Sequence, residues 1–110
     1  MNYGQLSYQE KIDLASNPST PIEVLEMLLK YENYSISDEK FSILAKSDDE
    51  EVRIGVAVNV TNEETLALLA TDESEEVRLA VAQNKNTSSK TLALLFADSD
   101  STVRVGVALN

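Results

Sequence analysis

The sequence predicts an all-α fold: a solenoid of short paired helices repeating about every 25 residues, with no sheet. Three observations carry this reading. The stretch DESEEVRLAVAQN (72–84) returns as DDEEVRIGVAVN (48–59) and as DSDSTVRVGVALN (98–110), and all three arginines, Arg53, Arg78 and Arg104, sit at one place in it. The spacing is steady. Phe41 to Leu66 and Val52 to Val77 are each 25 residues, while Leu66 to Leu92 and Val77 to Val103 are each 26. No segment alternates apolar and polar residues at strand period with hairpin turn signals.

Composition agrees and excludes several classes. Hydrophobic residues make up 43% and charged residues 25%, the balance of a folded chain rather than a disordered one. Aromatics are 5% and Trp is absent, so the core must be built from Leu, Val, Ile and Ala, which suits thin stacked helices. The net charge of −10 argues against nucleic acid and anionic membranes, both of which demand a basic face. There is neither Cys nor His. This removes disulfides, thiolate chemistry, the usual zinc and iron–sulfur ligands, and the commonest general acid–base group. MNYGQLSYQEK lacks the basic and apolar regions of a signal peptide, and no apolar run approaches a membrane span, so the expected location is cytoplasmic.

The chain reads as one repeat domain over 1–110. Worn units occupy 8–37, and regular repeats follow at 38–59, 60–84 and 85–110. Ser7-x-x-Glu10 has capping-box spacing and starts a helix over about 8–16. Pro18 stops that helix. Thr20 then caps the next, with Pro21 at its first position and Glu23 completing T-x-x-E. Leu25, Leu28 and Leu29 form its stripe. Leu25 and Phe41 are only 16 residues apart. The unit between them is either truncated, or its helix extends to fill both roles, with a distortion of the superhelix there. Ser35 or Ser37 caps the following helix. Each regular unit then has a first helix, L-x-x-L-A (Leu66, Leu69, Ala70), an acidic turn with Asp72 or Ser74 as cap, and a second helix, V-R-x-x-V-A (Val77, Arg78, Val81, Ala82), that is tight enough for partly 3₁₀ geometry. Two-turn helices do not persist alone in water. Neighbouring units must stabilise them by burying their stripes.

Four repeated positions invite chemistry. Gly55, Ala80 and Gly106 share a place in the second helix. Glycine there costs about 1 kcal/mol of helix propensity, so its return points to close approach of a neighbour; Gly106→Leu is expected to lower the melting temperature. Asn17, Asn59, Asn84 and Asn110 read as helix C-caps in the left-handed conformation. Arg53, Arg78 and Arg104 have two readings. Each pairs with nearby acids, such as Glu50, Glu51, Glu75, Glu76 or those of an adjacent unit. Alternatively, they form a basic ladder for a partner's carboxylates or phosphates. The acidic turns do not make a calcium loop. After Asp98-x-Asp100 come Thr102 and Val103, where an Asp or Asn and then Gly are required. First-turn carboxylates are explained by capping and the helix dipole.

Asn17-Pro-Ser-Thr-Pro-x-x-x-Leu25, followed by L-A-x-[DS]-x-x-x-x-V-R-x-x-V-A-x-N, resembles the leucine-rich repeat variant family over about residues 8–110. The ordinary leucine-rich repeat signature L-x-x-L-x-L-x-x-N is absent. The resemblance implies a right-handed superhelix alternating α and 3₁₀ helices. Some members of that family carry a cysteine-held iron–sulfur module, which this chain, lacking Cys, cannot bind that way; no cofactor is expected. Val60 and Lys85 stand where the family has proline after Asn, and Asn62 or Ser88 where it has proline at the helix start.

No triad, paired catalytic carboxylates or glycine-rich phosphate loop emerges, so no catalytic or metal-binding residue is assigned and the chain is not expected to be an enzyme. The expected function is a non-catalytic scaffold presenting a concave helical face to a protein or peptide. The alternative is a structural spacer or homo-oligomerisation element. Val103–Leu109 has no polar capping unit after it, which predicts pairing with another copy or a cover over the C-terminal helix.

Overall fold

The computed structural model describes residues 5–17, 19–32 and 37–110, and every regular element in them is helical. Pro18, Ser35 and Gly4 lie outside these residues. In chain order the helices are α1 (Tyr8–Ser16), α2 (Ile22–Met27), α3 (Asp38–Leu44), α4 (Glu50–Asn59), α5 (Glu63–Leu69), α6 (Glu75–Gln83), α7 (Ser89–Phe96) and α8 (Ser101–Ala108). A π-helical turn, Leu28–Glu32, continues α2 without a break.

Helix starts follow local chemistry. The Ser7 hydroxyl accepts from the Glu10 N–H, and the Glu10 carboxylate accepts from the Ser7 N–H, both at 3.1 Å. Asp49, Asn62, Ser74, Ser88 and Asp100 each accept a backbone N–H at the start of α4 through α8. Glu50, Glu51, Glu75 and Glu76 fill first turns, where the helix dipole favours negative charge. The turn before α6 has Ser74 as its cap; Asp72 is engaged elsewhere.

Packing joins alternate helices. α4 lies against α6 and α6 against α8, while the π turn after α2 lies against α4. The molecule measures 44 × 22 × 19 Å, about twice as long as it is wide. Phe41, Leu44, Leu66, Leu69 and Leu95 from the first helices meet Val52, Val77 and Val103 from the second in one core, all at most 1% exposed. Full burial of a Leu or Val contributes about 1.5–3 kcal/mol, far more than helix propensity in elements this short.

Helix α2 extends through the π turn, which lies against α4, and Leu29 from that turn packs over Gly55 of α4. Three local expectations are corrected. Thr20 does not cap α2. Pro21 holds that position without a side-chain bond, and the Thr20 hydroxyl donates to the Leu14 carbonyl at 2.6 Å. Thr87 does the same to Val81 at 2.7 Å, so this threonine ties down the end of the preceding helix. Ser37 precedes α3 but makes no capping bond. The second helices α4, α6 and α8 are α-helical, not 3₁₀, since eight to ten residues give room for i→i−4 bonding.

The asparagines end helices by another route than expected. Asn17 and Asn84 are extended, with φ −78° and −76°, not left-handed. Their carboxamide oxygens accept from the N–H two residues on. The Asn84 amide also donates to the carbonyls of Ala57 (2.9 Å) and Val60 (2.8 Å), and the Asn110 amide donates to those of Ala82 and Asn84. Asn59 is the last residue of α4 and donates to Gly55. The amide is thus a staple between neighbouring layers. Asn84 is buried, so Asn84→Ala is expected to cost about 1–3 kcal/mol by stranding two carbonyls and an N–H. Urea denaturation checks this; an unchanged midpoint would show the staple to be idle.

Candidate functional site

The three arginines stand at successive levels, one on each of α4, α6 and α8. Arg53 donates from Nε and Nη2 to the Asp72 carboxylate at 2.9 and 3.3 Å, and from Nη1 to the Ser47 carbonyl at 2.9 Å. Arg78 repeats this arrangement. Its Nε and Nη2 reach Asp98 at 2.8 and 3.3 Å, and its Nη1 reaches the Asp72 carbonyl at 2.8 Å. Arg53 and Arg78 therefore each grip their own turn by the backbone and the next turn by the carboxylate. The acids that pair are 19 and 20 residues on, in the adjacent unit, rather than Glu50, Glu51, Glu75 or Glu76 of the same helix. Lys30 continues the line at the other end, donating to Asp49 at 2.9 Å.

These pairs are largely dry. The Arg78 and Asp98 side chains are 15% and 9% exposed, and the Arg53–Asp72 pair is similar. Burial pushes the Asp98 carboxyl up, but the Arg78 hydrogen bond, the Asp100 N–H and the Arg78 charge outweigh it and hold the group below its ordinary value. The Asp72 and Asp98 carboxylates likewise hold Arg53 and Arg78 above the usual guanidinium value, chiefly by hydrogen bonding. Arg53 and Arg78 are thus committed inside the molecule. Arg104 is not. Its Nη1 donates to the Asp98 carbonyl at 2.5 Å, its side chain is exposed, and it has no carboxylate partner among the described residues.

Glu63 forms a second bridge between units. Its carboxylate accepts from the Ser88 N–H, the Ser88 hydroxyl and the Thr91 hydroxyl at 2.5–2.9 Å. Burial raises its carboxyl, and these donors more than offset that, leaving it below the ordinary value. Among the described residues every buried side-chain polar atom has a hydrogen-bond partner. No cluster of acidic groups there is arranged to hold a metal ion, and no helix is long and apolar enough to cross a membrane.

A different surface escaped the sequence reading. Ile43, Leu68 and Leu94 occupy one position of α3, α5 and α7 and are 49%, 48% and 55% exposed. The second helices lie directly against each other, whereas the first helices are separated by two clefts. One, of about 510 Å³, lies between α3 and α5 with Ile43, Lys46 and Leu68 in its wall. The other, of about 650 Å³, lies between α5 and α7 with Ala67, Lys90 and Leu94. Single exposed apolar side chains are ordinary; three at one register position beside two clefts are not. The signal was present two residues after Phe41, Leu66 and Leu92, outside the inward stripe. No protein-family model, curated protein or solved structure matches this chain.

Proposed function

We propose that this protein is a non-catalytic, cytoplasmic repeat module of the leucine-rich repeat variant kind, a right-handed solenoid of units of about 25 residues, and that it binds a protein or peptide partner. The observation that carries the binding role is the line Ile43, Leu68, Leu94 beside the clefts of α3, α5 and α7. A segment with apolar anchors would seat them in the clefts and remove three half-exposed side chains from water, while Lys46 and Lys90 would meet its acidic groups at the rim. On this reading the binding surface lies between the first helices, and not along the closely packed second helices. The recurrence of the Arg–Asp grip and of the Asn staple from layer to layer supports the repeat reading.

Leu68→Lys tests it. Because Leu68 is half exposed, the variant is expected to melt within about 0.5 kcal/mol of the parent. Affinity capture from the native host should recover a partner with the parent chain and lose it with Leu68→Lys. Equal recovery by both chains would remove these clefts as the binding surface.

A further inference from the structure

We propose, on the reading of the two clefts as the binding surface, that their occupant is an amphipathic α-helix of a partner protein. It crosses α3, α5 and α7, seats one large apolar side chain in each cleft, and carries a base and then an acid along one flank. The lining of the clefts selects a helix over an extended chain. Ala67, Ala93 and Leu94 give the α5–α7 cleft an apolar wall, and Ser88 and Thr91 are among its polar residues. Both of those hydroxyls already donate to the Glu63 carboxylate, as does the Ser88 N–H. The walls themselves are helices, whose backbone groups bond along their own axes, and no strand edge occurs among the described residues. An extended peptide would press a row of N–H and C=O groups against side chains that cannot pair them. A helix satisfies its own backbone and offers the clefts only side chains.

The spacing agrees. Helices packed directly on each other, as α4 is on α6, stand about 8–10 Å apart, so one cleft follows the other by about 10 Å. A helix returns a side chain to the same face after a heptad, about 10.5 Å. An extended chain does so at about 6.6 or 13 Å. Helix α5 is the ridge that the occupant crosses, and Glu64 lines the clefts on both sides of it. Ser42, Ala67 and Ala93 stand just before Ile43, Leu68 and Leu94, so a small residue lies beside each exposed apolar one and lets a helix come close.

Charge sets the direction of the occupant. Four residues before Ile43, Leu68 and Leu94 stand Glu39, Glu64 and Lys90, so the sign along this flank changes between α5 and α7. All three are exposed, and none has an ion pair among the described residues. A complementary helix therefore carries bases opposite α3 and α5 and an acid opposite α7. Lys46, in the wall of the α3–α5 cleft, accepts a further acid. The reversed order would set like charges against each other at Glu64 and Lys90.

The probe is a labelled, alanine-rich synthetic peptide of about 20 residues, long enough to be helical. It carries two leucines a heptad apart, with a lysine and then a glutamate on the flank that faces Glu64 and Lys90. Titrated with the full chain, it is expected to bind saturably below millimolar concentration. Leu68→Lys in the chain, or a proline between the two leucines of the peptide, should each weaken binding about tenfold or more. Lys90→Glu in the chain should weaken it about fivefold, and a peptide with lysine in place of its glutamate should restore the loss. Equal binding by the proline peptide would overturn the helical occupant and leave the clefts as the binding surface. A loss in Lys90→Glu that the exchanged peptide does not restore would overturn the charge order. Equal binding to the Leu68→Lys chain would remove the clefts and the helix together. Absence of saturable binding up to millimolar peptide would overturn the helical occupant, while affinity capture with the parent and Leu68→Lys chains still decides the clefts.

Discussion

Gly55→Leu is expected to lower stability by about 2–3 kcal/mol, seen as a fall of roughly 10 °C in Tm. The site has no room. A Cβ on Gly55 would stand 2.9 Å from the Leu29 Cγ, the branch point of a side chain that is itself 2% exposed. The branch point cannot swing aside without moving the Leu29 backbone or its packing on α4. Even Gly55→Ala should be destabilising, although alanine gains about 1 kcal/mol of helix propensity. Gly106 differs in degree. Its tightest contact is the Leu79 Cδ1 at 2.7 Å, the tip of a partly buried side chain that can rotate. Gly106→Ala should therefore be near neutral, whereas Gly106→Leu should still lower Tm. Thermal melts of the four variants, with Leu29→Ala added to Gly55→Leu as a partial rescue, check the order. A Gly55→Leu chain as stable as the parent would refute close packing at this joint.

Arg78→Met should cost a similar amount, about 2–3 kcal/mol near neutral pH. The substitution keeps most of the side chain's bulk and removes the fork, leaving Asp98, 9% exposed, with the Asp100 N–H as the one remaining donor to its carboxylate among the described residues. The pH dependence identifies the cause. In the parent, Asp98 is held below its ordinary value. Its ionised form therefore stabilises the fold above the unfolded carboxylate value of about 4, and that contribution disappears as pH falls through the lower folded value. In Arg78→Met, burial acts without the arginine and raises the carboxyl, so acidification relieves the variant while it weakens the parent. The stability gap should be widest near neutral pH and narrow below about pH 4. Denaturant midpoints of both chains at about pH 7 and about pH 3 measure it. A gap of constant size would show that Arg78 acts through packing alone.

The parts of this molecule legible in the sequence are those governed by neighbours three or four residues apart. Ser7 and Glu10 form their box, and Leu25, Phe41, Leu66 and Val77 turn inward on the expected faces. The small residue at 55 and 106 marked the close approach before its partners were known. Thr20 and Asn84 were harder to read, because each has an ordinary local role that competes with a distant one. The competition is settled by whether a carbonyl such as that of Leu14, Ala57 or Val60 comes within reach. The line of Ile43, Leu68 and Leu94 was missed because periodicity detects the buried stripe, and the exposed line follows from how far the first helices stand apart.

The sequence by itself determined the helical class and the common place of Arg53, Arg78 and Arg104 in a recurring stretch, since these rest on local hydrogen bonding and on burial of a repeated apolar stripe. Only the tertiary structure decided which carboxylate each arginine meets. Glu50, Glu51 and Asp72 were all open to Arg53, and Glu75, Glu76 and Asp98 to Arg78. The choice depends on how one helix seats on the next, as Leu79 seats on Gly106 beside the Arg78–Asp98 pair, and not on the spacing of residues along the chain. That geometry commits Arg53 and Arg78 to the interior and leaves Arg104 anchored to the Asp98 carbonyl, with no carboxylate partner among the described residues.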